Sequence, residues 1–106
     1  MSEFKKNLEF LPSVEAIERL ELFEGKNAQP VTTIENKPGK SGSVAVYNAI
    51  KLEYDKLDYK SAQAGLEIFA EHVIDAAKTP GAHPNIDLLF NVIESDRVLT
   101  INVINK

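Results

Sequence analysis

Hydrophobic residues recur along the chain with two spacings, one typical of helices and one typical of strands. Near the start, Phe4, Leu8 and Leu11 follow helical spacing until Pro12 interrupts it. This spacing predicts a short amphipathic helix over residues 3–11.

Alternation of apolar and polar residues predicts a hairpin after that helix. From Arg19 onward, Leu20 and Leu22 alternate with glutamates, which indicates a strand. The β-branched run at residues 31–35 is its expected partner. A polar segment, NKPGKSG, follows at residues 36–42 and is expected to be a loop.

The segment 43–57 fits both periods. Val44 and Val46 continue a strand pattern, yet Val46 also shares a helical face with aliphatic and aromatic residues further on. We expect a short strand over residues 43–46 that passes into a helix near residues 47–56.

The clearest helical pattern runs from Ser61 to Lys78, with Ser61 as the expected N-cap. Its apolar residues form a broad stripe, so we expect the helix to be covered on more than one side. Gly65 lies in its interior and costs roughly 1 kcal/mol of helix stability relative to alanine. A glycine there suggests that another backbone passes close by.

The last third of the chain predicts a turn, a helix and a strand. Two prolines and Gly81 indicate a stiff turn, after which Asn85 is a candidate cap for a helix that ends near Glu94. Residues 98–104 give the strongest strand pattern and are apolar on both faces, which places them centrally in a sheet or at an interface. Together these elements predict a single α+β domain over residues 1–106, with a three- to four-stranded antiparallel sheet and helices packed on one face.

Charge and composition exclude several classes of function. The 106 residues include 12 Lys and Arg against 16 Asp and Glu, which gives a net charge of −4, and they include no cysteine. A basic surface for nucleic acid or for an anionic membrane is therefore absent at the level of the whole chain. No apolar run suits a signal peptide or approaches the roughly 20 residues of a membrane span. We therefore expect a cytoplasmic protein that binds neither nucleic acid nor membrane.

Both histidines fall in one segment that is also rich in carboxylates. His72 and Asp75 share one flank of the predicted helix, and the proline-rich turn can bring His83 and Asp87 back toward that flank. Two imidazoles and two carboxylates can hold a divalent metal ion, or can form a histidine–carboxylate pair for general-base catalysis. Neither zinc-protease spacing nor a cysteine ligand is present, and both histidines also suit an ordinary hydrogen-bonded structural role. The candidate ligand-binding residues are Glu71, His72, Asp75, His83, Asn85 and Asp87.

The tripeptide Gly39-Lys40-Ser41 ends like a phosphate-binding loop. That motif requires glycine at position 34, where this chain has Ile34, and a helix after the serine, where we expect a strand. The segment is therefore expected to be a solvated hairpin loop. Lys37, Lys40 and the loop amides could still hold a phosphate weakly.

Several short motifs occur together in a recognisable order. They are Ile34 to Gly39, Gly42-Ser43, Val46-Tyr47-Asn48, Gly65-Leu66-Glu67, Ala70-Glu71-His72, Asp75-Ala76, and Pro80-Gly81 followed by His83-Pro84-Asn85-Ile86-Asp87. In this pattern the chain resembles a family of small bacterial proteins of unknown function. The resemblance implies a bacterial, cytoplasmic setting and supplies no catalytic residue.

The expected function is therefore a protein-interaction or small-ligand-binding module. Homodimerisation through residues 98–104 or through the broad apolar helix faces is one such interaction. The alternative is a metal-binding protein or an enzyme that uses His72, Asp75, His83 and Asp87. The sequence leaves open whether the protein is an enzyme and which cofactor, if any, it uses.

Overall fold

Helices and strands alternate irregularly along residues 3–106, the part of the chain that the computed structural model describes. The elements are α1 (Glu3–Leu8), β1 (Ile17–Glu24), β2 (Thr32–Glu35), α2 (Ser41–Tyr54), β3 (Lys56–Leu57), α3 (Tyr59–Phe69), α4 (Glu71–Lys78), α5 (Pro84–Ser95) and β4 (Leu99–Asn105).

The four strands form one antiparallel sheet in the order β2-β1-β4-β3. The α+β prediction with a three- to four-stranded antiparallel sheet is confirmed. The position expected for the last strand is also right, since β4 lies between β1 and β3.

One face of the sheet carries the hydrophobic core. Leu20 pairs with Ile34 and Leu22 pairs with Ile101, and all four side chains are buried. Thr100, next to Ile101 on the strand, points the opposite way and is exposed. The helices therefore pack on the face that Leu20 and Leu22 share.

The short strand expected at residues 43–46 is wrong, because residues 41–54 form the single helix α2. The five consecutive residues from Val44 to Asn48 are all buried. Over these five residues the helix is buried on every side and has no polar face, so this segment carries no helical period that could distinguish it from a buried strand.

The helix expected over residues 61–78 is two helices, α3 and α4, joined at Ala70. Ala70 has φ 53° and ψ −118°, a backbone conformation that favours glycine, and it redirects the chain. The N-cap is Asp58 rather than Ser61. Ser61 N donates to Asp58 Oδ1 at 3.0 Å, and Asp58 N donates to Ser61 Oγ at 2.8 Å, which makes a reciprocal capping box.

Gly65 does mark a close approach, but side chains rather than a backbone make it. A Cβ added at Gly65 would lie 3.0 Å from Ile50 Cδ1 of α2 and 3.0 Å from Leu89 Cδ1 of α5. Helix α3 is therefore covered by two other helices, as the width of its apolar stripe indicates.

The longest helix within residues 3–106 is α2, with 14 residues. No helix in this part of the chain is both long enough and apolar enough to cross a membrane.

Candidate functional site

A cavity of about 630 Å³ opens where the first turns of two helices meet the edge strand β2. This volume is within the range of small-molecule sites, roughly 300–1,000 Å³. Its apolar wall comes from α1, the end of α3 and the core. The lining residues are Phe4, Leu8, Thr32, Thr33, Ile34, Gly39, Lys40, Ser41, Gly42, Ser43, Phe69, His72, Ala82, His83, Pro84, Asn85 and Ile86.

Helix α2 presents its amino-terminal end to this cavity. The first intrahelical hydrogen bond runs from Val44 N to Lys40 O at 3.1 Å, so the N–H groups of Ser41, Gly42 and Ser43 precede it. No side chain within the described residues caps this end. Gly39, at φ 85°, makes the turn that leads the loop into the helix. Backbone donors at a helix start, together with the helix dipole, favour an anion.

Helix α5 also begins at this cavity, which Pro84, Asn85 and Ile86 line. His83 occupies its N-cap position, and no side chain in residues 3–106 caps it. Pro84 follows as the first helical residue, so the predicted cap at Asn85 is two positions late. The buried hydroxyl of Tyr47 donates to the backbone carbonyl of Asn85 and so ties α2 to this helix start.

The two histidines lie side by side on the cavity wall. The ring centroids of His72 and His83 are 5.6 Å apart. The ring of His72 also makes a T-shaped contact with the ring of Phe4, with 5.0 Å between the centroids. His83 Nε2 lies 2.5 Å from Asp75 Oδ2, so Asp75 pairs with His83 rather than with its helix neighbour His72. The turn therefore brings His83 to the flank that carries His72 and Asp75, as predicted, whereas Asp87, which is expected there as well, accepts a hydrogen bond from Gly81 N in the turn itself.

The three predicted carboxylates, Glu71, Asp75 and Asp87, are not among the residues that line the cavity. Glu71 Oε1 accepts from Phe4 N at 2.9 Å, which holds α1 against α4. Asp87 Oδ2 accepts from Gly81 N at 2.9 Å and fixes the turn before α5. Asp75 holds the ring of His83. Of the six candidate residues, His72, His83 and Asn85 line the cavity.

A metal centre is not assembled from these groups. Within residues 3–106, no three His, Asp or Glu side chains are placed where they could hold a metal ion together. The contact between His83 and Asp75 joins two of the proposed ligands to each other.

The described cavity lining contains no acidic side chain although the chain is acidic. Lys40, His72 and His83 line it, and no Asp or Glu in the described residues does. Lys37 lies outside the lining and pairs with Glu35, with 2.9 Å between Nζ and Oε2. The hydroxyls of two threonines and two serines in the lining supply further hydrogen-bond donors.

The Gly39-Lys40-Ser41 segment meets one of the two requirements of a phosphate-binding loop, the helix after the serine. A helix does begin at Ser41, directly after Gly39-Lys40, so the strand expected there is wrong. Ile34 still replaces the motif's first glycine. Thr32 and Thr33 of β2 and Ser41 and Ser43 of α2 line the cavity but are not identified as lining residues from the sequence. The Gly-Lys-Ser tripeptide is the signal that could have identified the serines.

The family model described as "Uncharacterized protein conserved in bacteria (DUF2322)" matches residues 4–103. Comparison with curated proteins and with solved structures gave no match.

Proposed function

The chain belongs to the family of uncharacterized proteins conserved in bacteria (DUF2322), and we propose that it binds a small ligand through a carboxylate or phosphate group of that ligand in the cavity described above. The membership confirms the resemblance drawn from the sequence motifs. It assigns no activity, so the proposal depends on the cavity.

The observation that carries this proposal is the distribution of charge. The chain has 16 acidic residues and a net charge of −4, yet the described lining contains one lysine, two histidines and no carboxylate. Two helix amino termini add partial positive charge at the same place, each equivalent to roughly half an elementary charge. An anionic group in this cavity would be attracted by the ammonium group of Lys40 and by the two helix amino termini.

The apolar side of the cavity supports a ligand larger than an inorganic ion. Phe4 and Phe69 stack with ring centroids 5.3 Å apart, and both line the cavity beside Leu8 and Ile34. A ligand with an anionic end and an apolar body would contact both sides. This mixture of an apolar wall and a few converging polar groups is typical of small-molecule sites.

Calorimetric titration with acetate and with inorganic phosphate tests the proposal, with two lysine variants as a matched pair. Lys40→Gln removes a charge from the lining, whereas Lys37→Gln removes a charge three positions away that pairs with Glu35. We expect binding in the unmodified protein, several-fold weaker binding in Lys40→Gln and little change in Lys37→Gln. Equal weakening by both variants would show only a general effect of net charge and would contradict the proposed site.

The His83–Asp75 pair favours a second candidate, acid–base catalysis on the bound ligand. A carboxylate that holds one imidazole nitrogen fixes the tautomer and orientation of the ring, which is how general bases are positioned. If His83 acts as a general base, Asp75→Asn should lower the rate at which the bound ligand reacts and leave the affinity for acetate unchanged. An equal loss of both would assign Asp75 to binding alone.

We also propose a cytoplasmic location, a single domain over residues 1–106, no nucleic-acid partner, and a homodimer or protein complex as the assembled form. The absence of cysteine supports the cytoplasmic location, and the negative net charge supports the absence of a nucleic-acid partner. One cluster of buried residues within residues 3–106 supports the single domain. For the assembly, β3 pairs only with Leu99 and Thr100, so within the described chain no strand pairs with the second edge of residues 101–105. Sedimentation at micromolar concentration distinguishes a dimer from a monomer.

A further inference from the structure

Among residues 3–106, no strand pairs with the outer edge of β2, and the register of β2 with β1 identifies the hydrogen-bonding groups on that edge. β2 is the outermost strand of the sheet, next to β1. Opposite residues in an antiparallel pair alternate between those that exchange backbone hydrogen bonds and those that do not. Asn36 N donates to Glu18 O at 2.9 Å, in register with the pairs Leu20↔Ile34 and Glu21↔Thr33. Thr33 therefore falls in the class that does not bond to β1, and its N–H and C=O point to the open edge.

This open edge forms part of the cavity wall. Thr32, Thr33 and Ile34 all line the cavity, although successive side chains of a strand point to opposite faces of the sheet. Three consecutive lining residues indicate that the strand backbone itself borders the cavity. The N–H and C=O of Thr33 thus lie on the same wall as the start of α2, at Ser41 to Ser43.

A ligand complementary to both features needs a carboxylate and an extended backbone. Its peptide N–H and C=O groups would pair with Thr33, as when a peptide adds a strand to an exposed sheet edge. Its terminal carboxylate would meet the N–H groups of Ser41 to Ser43, with Lys40 beside them. We propose that the ligand is the carboxyl-terminal end of an extended peptide, bound along the edge of β2 with its carboxylate at the start of α2. This inference rests on the proposed function and names its ligand class.

The test uses acetate, acetyl-tetraalanine with a free carboxylate, the same peptide as its carboxyl-terminal amide, and a version N-methylated at alternate residues. Affinities are measured by calorimetry on the full chain. Because the free peptide adds backbone hydrogen bonds to the anion contact, we expect it to bind roughly tenfold more tightly than acetate. Amidation removes the anion, and N-methylation in the pairing register removes the backbone donors, so each modification should lower the affinity at least to that of acetate.

A pair of protein variants tests the same contact from the other side. Thr33→Pro removes the outward N–H without removing a hydrogen bond to β1, and proline is tolerated at such edge positions. Thr33→Val keeps the backbone donor and removes only the hydroxyl. We expect Thr33→Pro to bind acetyl-tetraalanine no better than acetate and Thr33→Val to keep the full preference. If Thr33→Pro does not fold, the N-methylated peptide gives the same comparison on the unmodified protein.

Two failures are distinguishable. If acetate binds but the free peptide binds no more tightly, or if the amide binds as well as the free acid, the peptide inference is overturned and the anion site stands. If neither acetate nor phosphate binds, the proposed function itself is contradicted.

Discussion

The hydroxyl of Tyr47 donates a hydrogen bond to the backbone carbonyl of Asn85, 38 positions later in the chain. Tyr47 belongs to α2 and is fully buried, while Asn85 lies in the first turn of α5 and lines the cavity. This contact joins the two helices whose amino termini face the candidate ligand. The separation between those termini is therefore set by a core residue rather than by a flexible loop.

Replacing Tyr47 with phenylalanine removes this link and leaves the ring in place. The Asn85 carbonyl would lose a partner in a part-buried position, which costs about 1–2 kcal/mol of unfolding free energy. Urea unfolding at neutral pH measures the loss. Tyr54→Phe, at a half-buried tyrosine of the same helix, is the matched control and should change stability less. A Tyr47→Phe variant as stable as the unmodified protein would contradict the contact.

Stability should also fall at high pH because of the same residue. Burial raises the pKa of the Tyr47 hydroxyl above its ordinary value near 10. Above pH 10 the unfolded chain therefore loses this proton while the folded chain keeps it, and unfolding is favoured by up to about 1.4 kcal/mol per pH unit. The stability difference between the unmodified protein and Tyr47→Phe should shrink between pH 10 and pH 11. A constant difference across this interval would indicate that the hydroxyl reaches water.

Glycine at position 70 should stabilise the protein. Ala70 joins α3 to α4 with φ 53° and ψ −118°, where a Cβ atom is strained. Relief of this strain outweighs the greater flexibility of glycine in the unfolded chain, so we expect Ala70→Gly to add about 1 kcal/mol. Ala64→Gly, inside α3, is the control and should cost about 1 kcal/mol. A loss of stability in both variants, measured by thermal unfolding, would contradict the break between α3 and α4 and would indicate one continuous helix through residue 70.

The capping box at the start of α3 gives a prediction at low pH. The backbone hydrogen bond from Ser61 is the main cause that lowers the pKa of Asp58. A lowered pKa means that the stabilisation is present above the ordinary carboxyl value near 3.9 and is lost as pH falls through the folded value. We expect Asp58→Ala to lose about 1 kcal/mol at pH 7, and the difference from the unmodified protein to narrow below pH 4. The exposed Glu53→Ala on α2 should be nearly neutral.

Much of the fold could be predicted from the sequence because most elements have one exposed face. β1 alternates between buried leucines and polar residues, and α1 and α5 keep a helical stripe, so their periods are visible. The segment Val44 to Asn48 of α2 has no such face because all five residues are buried, and its β-branched valines then favour a strand. The break at Ala70 has no local signal either, because alanine is the strongest helix former.

The candidate site was predictable only in part for a related reason. His72 and His83 are brought together by a turn that its prolines and Gly81 make visible in sequence. The role of Lys40 depends on tertiary structure, because a helix begins after it and the start of that helix lines the same cavity as the two histidines. That Lys40 and His83 line one cavity leaves no pattern in a single sequence.

The most direct test of the anion site is an NMR titration of the ¹⁵N-labelled protein with acetate and phosphate at pH 6.5. The account predicts that the backbone amides of Ser41, Gly42 and Ser43 shift together with the side chains of His72 and His83, and that Lys40→Gln weakens these shifts while Lys37→Gln preserves them. Shifts scattered over exposed lysines, with the three helix-start amides unmoved, would contradict it.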